Sequence, residues 1–127
     1  MKYTITVICL SLFLTGCGRS DLQIQQEMAG TWLVHFGGSV YCINVIRPDG
    51  GYTASVTGFA NGNVIRIKGT ILARHGKLIE TITADSDPGQ QLPMIVHGHI
   101  IRLDDHQMIT RWDTVPTTTT VAQKIKQ

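Results

Sequence analysis

The chain has 127 residues, of which 43% are hydrophobic and 16% are charged, and its formal net charge is +2. This length accommodates one small domain rather than two. The 11 basic and 9 acidic residues nearly balance, and the aromatic residues are not interleaved with lysine or arginine. The composition therefore gives no electrostatic basis for binding nucleic acid.

The first 16 residues are typical of a secretory signal. Lys2 supplies a positive charge, and residues 4–14 form an almost unbroken apolar run. This run is too short for a permanent transmembrane helix, which needs about 20 residues. Leu14-Thr15-Gly16-Cys17 resembles the lipobox of bacterial lipoproteins. The resemblance implies cleavage before Cys17, a diacylglycerol on its sulfur and an acyl chain on the new amine. The alternative is an ordinary cleaved signal that happens to precede a cysteine.

Lipidation of Cys17 would anchor the mature chain to a membrane of the bacterial envelope. One acyl chain binds a membrane only marginally, whereas two or more bind it durably. Gly18, rather than aspartate, follows the cysteine, which by analogy with enterobacterial sorting favours the outer membrane. We assign residues 1–16 to the signal and residues 17–29 to the lipidated cysteine and a tether. Apart from this covalent lipid, we expect no cofactor.

Cys42 is the cysteine that remains for the folded domain, since Cys9 lies in the signal and Cys17 is the expected lipidation site. We therefore expect no internal disulfide, and a hydrophobic core must stabilise the domain. A free cysteine usually behaves as a small buried hydrophobic residue. The alternative for Cys42 is a disulfide that joins two copies of the chain.

From Thr31 onward the sequence consists of short β-rich runs separated by turn residues. Before them, Arg19 to Ala29 predicts one or two helical turns that stop at Gly30. The predicted strands are Thr31 to Phe36, Val40 to Arg47, Tyr52 to Thr57, Val64 to Arg74, Lys77 to Ala84, Met94 to Leu103 and His106 to Trp112.

This pattern predicts an all-β domain over residues 30–115, an antiparallel meander that closes into a barrel of seven or eight strands. Closure is favoured because an open sheet would leave two unpaired edges. We expect a bend or bulge at Gly69 in the long fourth run. The threonine-rich tail, residues 116–127, either adds an eighth strand along 117–125 or stays loose.

Gly30-Thr31-Trp32 is similar to the Gly-x-Trp signature of lipocalins. The resemblance implies that Trp32 closes one end of the barrel and that a late arginine packs across its ring, for which Arg111 is the candidate. The turn from Asp49 to Tyr52 and the hairpin from Leu103 to Asp105 resemble those of small lipocalin-like domains in bacterial lipoproteins.

His97-Gly98-His99 is the most prominent candidate for chemistry, because residues two apart on a strand share a face. A two-residue turn at Asp104-Asp105 would place both histidines on a largely apolar face that looks into the barrel. On this basis the candidate ligand-binding residues are His97, His99, Trp32, Trp112 and Met108.

The two histidines have three alternative roles. They are polar groups hydrogen-bonded within the wall, contacts for a small ligand in the lumen, or half of a zinc or copper site. A metal site would need further ligands, and the candidates are His35, His106 and Asp113.

The sequence contains no recognised catalytic motif: it lacks a Gly-x-Ser-x-Gly elbow, a His-Glu-x-x-His pair and a phosphate-binding loop. We therefore expect a non-catalytic binding module, held on the envelope by its lipid, that takes a small apolar ligand or an envelope protein. The alternative is an envelope inhibitor or assembly factor that acts through protein–protein contacts and has no ligand cavity.

Overall fold

The computed structural model describes residues 19–125. Within these residues there are one helix and eight strands. The helix is α1 (Asp21–Met28), and the strands are β1 (Gly30–Gly37), β2 (Val40–Ile46), β3 (Gly51–Thr57), β4 (Ile65–Arg74), β5 (Lys77–Asp85), β6 (Met94–Leu103), β7 (Gln107–Trp112) and β8 (Thr118–Lys124). The predicted signal and the predicted lipidation of Cys17 lie outside the described residues.

The strands form a closed antiparallel barrel in which each strand pairs with its neighbours in the sequence and β8 returns to β1. The all-β class and the barrel predicted from the sequence are confirmed. Of the two alternatives for the tail, the ordered strand is the one observed, and β8 completes the closure. The expected irregularity at Gly69 is also present, as a register shift between Lys68 and Gly69 against β5.

Helix α1 covers one end of the barrel, which we call the closed end. Ser20 caps the helix by accepting a hydrogen bond from the Gln23 backbone N–H at 3.1 Å. The Gln25 side-chain amide donates to the Ile71 carbonyl at 3.0 Å. The Asp21 carboxylate accepts from the backbone N–H of His75 at 2.9 Å. These bonds fix α1 to β4 and to the turn between β4 and β5.

The core at the closed end is centred on Trp32, Met28 and Leu78, which are almost completely buried. The Trp32 indole N–H donates to the Met28 carbonyl at 2.8 Å, so the helix and the first strand share a buried hydrogen bond. Within residues 19–125, no helix is both long and apolar enough to span a membrane.

The hairpin between β6 and β7 has a different register from the one predicted. The turn is longer, because Leu103 pairs with Met108, and the Asp104 carboxylate accepts from the backbone N–H groups of His106 and Gln107 at 2.8 Å. A register shift between Ile100 and Arg102 then leaves Ile101 without a direct partner on β7. This bulge reverses the alternation of side chains for the rest of β6.

Candidate ligand-binding cavity

A cavity of about 230 Å³ lies inside the barrel, and 17 residues line it. Eleven of these have apolar side chains, from every strand except β6. The six others are Cys42, Asn44, Tyr52, Glu80, Thr110 and Thr120. We call this space the lumen cavity. An apolar wall with a few polar groups is the usual composition of a small-molecule site.

Four of the polar side chains form one cluster, which we call the lumen polar cluster: Cys42 and Asn44 on β2, Tyr52 on β3 and Glu80 on β5. The Cys42 thiol donates to the Asn44 side-chain oxygen at 3.2 Å. The Glu80 carboxyl is close enough to Cys42 and Tyr52 to raise the pKa of both groups. The cluster therefore places a carboxyl, a phenol, a thiol and an amide around one part of the lumen.

Glu80 is an acidic residue in a wall that is otherwise mostly apolar. Its strand neighbours across β4 and β6 are Ile71 and Val96. Within residues 19–125, no lysine, arginine or histidine forms an ion pair with Glu80, since the pairs found are Arg19–Glu27, Arg47–Asp49 and Arg102–Asp104. Burial raises the pKa of the Glu80 carboxyl, because the charged form is poorly solvated there, while Tyr52 opposes this in part.

The Tyr52 side chain is only 4% exposed, and its hydroxyl is buried. Burial, followed by the nearby Glu80 charge, raises the pKa of Tyr52, so the phenol stays protonated at neutral pH. The hydroxyl is close enough to Glu80 to affect its pKa, yet it has no hydrogen-bond partner of normal geometry. An unsatisfied buried hydroxyl is unfavourable by about 1–3 kcal/mol. This hydroxyl is thus available to a ligand.

Trp112 also lines the cavity, and its indole N–H donates to the Thr120 hydroxyl at 2.6 Å. Its ring packs over Gly98 of β6. A Cβ atom at position 98 would lie 2.7 Å from Trp112 Cε3 and 2.8 Å from the Arg111 carbonyl oxygen. Only glycine therefore lets β6 pass behind this ring, so β6 contributes no side chain to the cavity wall at this position.

Only some of the residues predicted to bind ligand line the cavity in the structure. Met108 and Trp112 line the lumen cavity. Trp32 lies in the core at the closed end and does not line it. The expectation that His97 and His99 face the lumen is wrong, because the bulge at Ile101 turns them to the outside and places the buried Gly98 inside.

The predicted pair of Trp32 and Arg111 is also wrong. Arg111 is exposed on the outer face of β7, where it pairs with His99 and Thr119. The cation over the Trp32 ring is Lys124, whose Nζ lies 5.3 Å from the ring centroid. The cation therefore comes from the last strand, β8, which was one of two alternatives for the tail.

The three additional metal-ligand candidates do not converge. His106 lies in the turn at the closed end, whereas His35 is near the far end of β1. The Asp113 backbone N–H donates to the His97 carbonyl, which places Asp113 just beyond β7. In the part of the chain from Arg19 to Ile125, no three His, Cys, Asp or Glu side chains are grouped closely enough to hold a metal ion.

The lumen cavity reaches the surface at the end opposite α1, which we call the open end. Phe36 lines the cavity there and is 58% exposed. Strands β1 and β8 pair at only three positions, of which Val34 and Ala122 are the last before the two strands separate. A second pocket of about 530 Å³ includes Val34 and Glu80 from inside the barrel and His35 from outside it. The gap between β1 and β8 thus connects the lumen with the outer surface.

Sequence reasoning did not identify Glu80 or Tyr52 as site residues. The available signal was the alternation in β5, where Leu78, Glu80 and Ile82 share a face. A carboxyl between two large apolar residues on the inner face was visible in the sequence.

Comparisons with protein-family models, with curated proteins and with solved structures find no match to this chain.

Proposed function

We propose that this protein is a membrane-anchored lipoprotein of the bacterial envelope whose barrel binds a small, mainly apolar ligand without catalysis. The lumen cavity is the observation that carries this proposal. Its wall joins apolar side chains with a small group of polar ones, and it reaches the surface beside Phe36. This composition is that of a site that encloses a ligand.

The size of the cavity limits the ligand. Typical small-molecule pockets have volumes of about 300–1,000 Å³, so a cavity of about 230 Å³ is small. An apolar cavity of about 150 Å³ binds benzene. We therefore expect a ligand slightly larger than benzene, with about ten non-hydrogen atoms.

Native mass spectrometry tests the ligand part of the proposal. The chain from Gly18 onward contains all eight strands and the complete core, and we expect it to retain, or take up from an added series, small apolar molecules. Ala54→Leu should reduce this binding because Ala54 lines the cavity and is 5% exposed. Ala84→Leu is the matched control, since Ala84 is exposed on β5. Equal binding by the two variants, or no binding by the unsubstituted chain, would contradict the proposal.

Metabolic labelling with palmitate tests the anchor. We expect label on the full chain expressed in bacteria and none on Cys17→Ser. Cys9→Ser and Cys42→Ser are the matched controls, since they remove the other two cysteines of the chain. If Cys17→Ser keeps its label, or if the unsubstituted chain is never labelled, the proposed anchor is wrong.

A further inference from the structure

The lumen polar cluster contains a carboxyl group, that of Glu80, with which no cation of the described residues forms an ion pair. Glu80 lines the lumen cavity, and the ion pairs found between Arg19 and Ile125 do not include it. A carboxylate removed from water is unfavourable unless a cation or several hydrogen bonds compensate it. A ligand that supplies a positive charge would therefore gain more from this cavity than a neutral molecule of the same shape.

The Tyr52 hydroxyl provides a second indication. It is buried and makes no hydrogen bond of normal geometry, although it lies close enough to Glu80 to lower the pKa of that carboxyl. A phenol can donate one hydrogen bond and accept others. With an ammonium group between the two side chains, the ligand N–H groups would donate to the Glu80 carboxylate and to the Tyr52 oxygen. Both unsatisfied groups would be satisfied together.

We propose that the lumen cavity is specific for a small hydrophobic amine, whose ammonium group pairs with Glu80 and Tyr52 while its apolar body lies against the remaining wall. This inference rests on the proposed function, because it names the class of ligand for the same cavity. The alternatives are less favourable. A ligand carboxylate would place a second acidic group beside Glu80, and an alcohol carries no positive charge that could stabilise the ionised Glu80 carboxyl.

The dimensions of the site agree with an amine of this kind. The cavity volume of about 230 Å³ fits an aromatic ring with a short chain. Aliphatic side chains such as Ile71 and Ile82 and the ring of Trp112 line the space around the cluster. Phe36, Trp112 and Glu80 all line the second pocket as well, which connects the lumen with the outer surface, so an amine that enters there can bring its nitrogen to Glu80.

Isothermal titration calorimetry with three matched ligands tests the inference. Phenethylamine, phenethyl alcohol and phenylacetate have similar apolar bodies and carry a positive, a neutral and a negative head. With the chain from Gly18 onward near neutral pH, we expect phenethylamine to bind at least about tenfold more tightly than the alcohol, a difference of about 1.4 kcal/mol. Phenylacetate should bind most weakly.

Glu80→Gln keeps the shape of the side chain and removes its charge, so it should abolish the preference for the amine while the alcohol still binds. Tyr52→Phe should reduce the preference by a smaller factor, about threefold. Glu27→Gln is the matched control, because Glu27 is the other glutamate of the chain and lies on the outer side of α1 in an ion pair with Arg19. Circular dichroism would confirm that each variant keeps its β structure.

The outcomes separate this inference from the proposed function. A preference for the amine that Glu80→Gln removes would support both. Binding of all three ligands with similar affinity, or a preference for phenylacetate, would overturn the amine inference and leave the apolar-ligand proposal in place. If none of the three ligands binds the unsubstituted chain, both are wrong. The ligand series on the unsubstituted chain gives this decision even if a variant fails to fold.

Discussion

Lys124, in the last strand, holds its side-chain nitrogen 5.3 Å from the centre of the Trp32 ring in the first strand. The two residues are direct partners in the pairing of β8 with β1. The contact therefore lies at the seam where the barrel closes. Gly30 makes room for it, since a Cβ atom there would lie 2.7 Å from Lys124 Cε. Strand pairing, the cation and the tryptophan together join the two ends of the domain.

Replacing Lys124 with methionine should destabilise the barrel, whereas the same change at Arg111 should not. Lys124→Met removes a cation–π contact, which contributes about 0.5–1 kcal/mol at a partly exposed site. Arg111 is exposed, and a surface change of this kind alters stability by less than about 0.5 kcal/mol. Urea unfolding of both variants measures the difference. If Arg111→Met has the larger effect, Lys124 is not the functional partner of Trp32.

The strand positions could be predicted from the sequence, because the turns between them have distinctive residues. Pro48-Asp49-Gly50 and His75-Gly76 both separate paired strands in the structure, and the predicted ends of the strands are within two residues of the observed ones. The pattern of short β-rich runs was enough to predict the barrel architecture. The choice of an ordered β8 depended on pairing with β1, which local residue preferences do not reveal.

The site could not be predicted to the same extent, because a single bulge decided which residues face the lumen. The predicted two-residue turn and regular pairing placed His97 and His99 inside. The observed shift at Ile101 moves them outside and brings Gly98 to the inner face. Side chains along a strand alternate between its two faces, so a register error of one residue moves every side chain to the opposite face. Glu80 matches no sequence motif, because its environment in the lumen comes from residues on β2, β3 and β4 that are distant in the sequence.

Gly98→Ala should destabilise the domain much more than His97→Ala. The added Cβ atom would overlap the Trp112 ring and the Arg111 carbonyl, and such crowding destabilises by about 1–3 kcal/mol. His97 is exposed next to it, so its truncation should change stability by less than about 0.5 kcal/mol. Chemical denaturation measures both effects.

The same geometry predicts that a His97→Ala/His99→Ala double variant binds apolar ligands as well as the unsubstituted chain. Loss of binding in the double variant would mean that the register of β6 is not the one described, and it would restore the histidines as ligand contacts. Titration with the ligand series used above provides the measurement.

Cys42 should be an unreactive thiol and should not join two copies of the protein. Its side chain is 5% exposed, and burial together with the Glu80 charge raises the pKa of the thiol to about 11. The reactive thiolate is therefore scarce at neutral pH. We expect a thiol reagent to modify the chain from Gly18 onward only when denaturant is present. A dimer band on a non-reducing gel that disappears in Cys42→Ser would contradict this prediction.

Glu80 should make the domain less stable as the pH rises, and Glu80→Gln should remove this loss. The pKa of Glu80 is raised in the folded protein above its ordinary value of 4.5. Below about pH 4 the carboxyl is protonated in both the folded and the unfolded chain, and it makes no difference between them. Above that value the unfolded chain releases its proton more readily, so unfolding is favoured until the pH passes the folded pKa.

Comparing the unsubstituted chain with Glu80→Gln isolates the contribution of Glu80 to the pH dependence of stability. Asp21 and Asp104 have lowered pKa values and lose their stabilising effect as the pH falls, but they are the same in both chains. Tyr52 and Cys42, which face Glu80, have raised pKa values and stay protonated between about pH 4 and pH 8. The difference in free energy of unfolding should therefore grow in favour of Glu80→Gln as the pH rises from about 4, and it should level off once the pH passes the folded pKa of Glu80. Glu27→Gln should show no such trend, and a flat difference for Glu80→Gln would mean that its carboxyl is well solvated in the lumen.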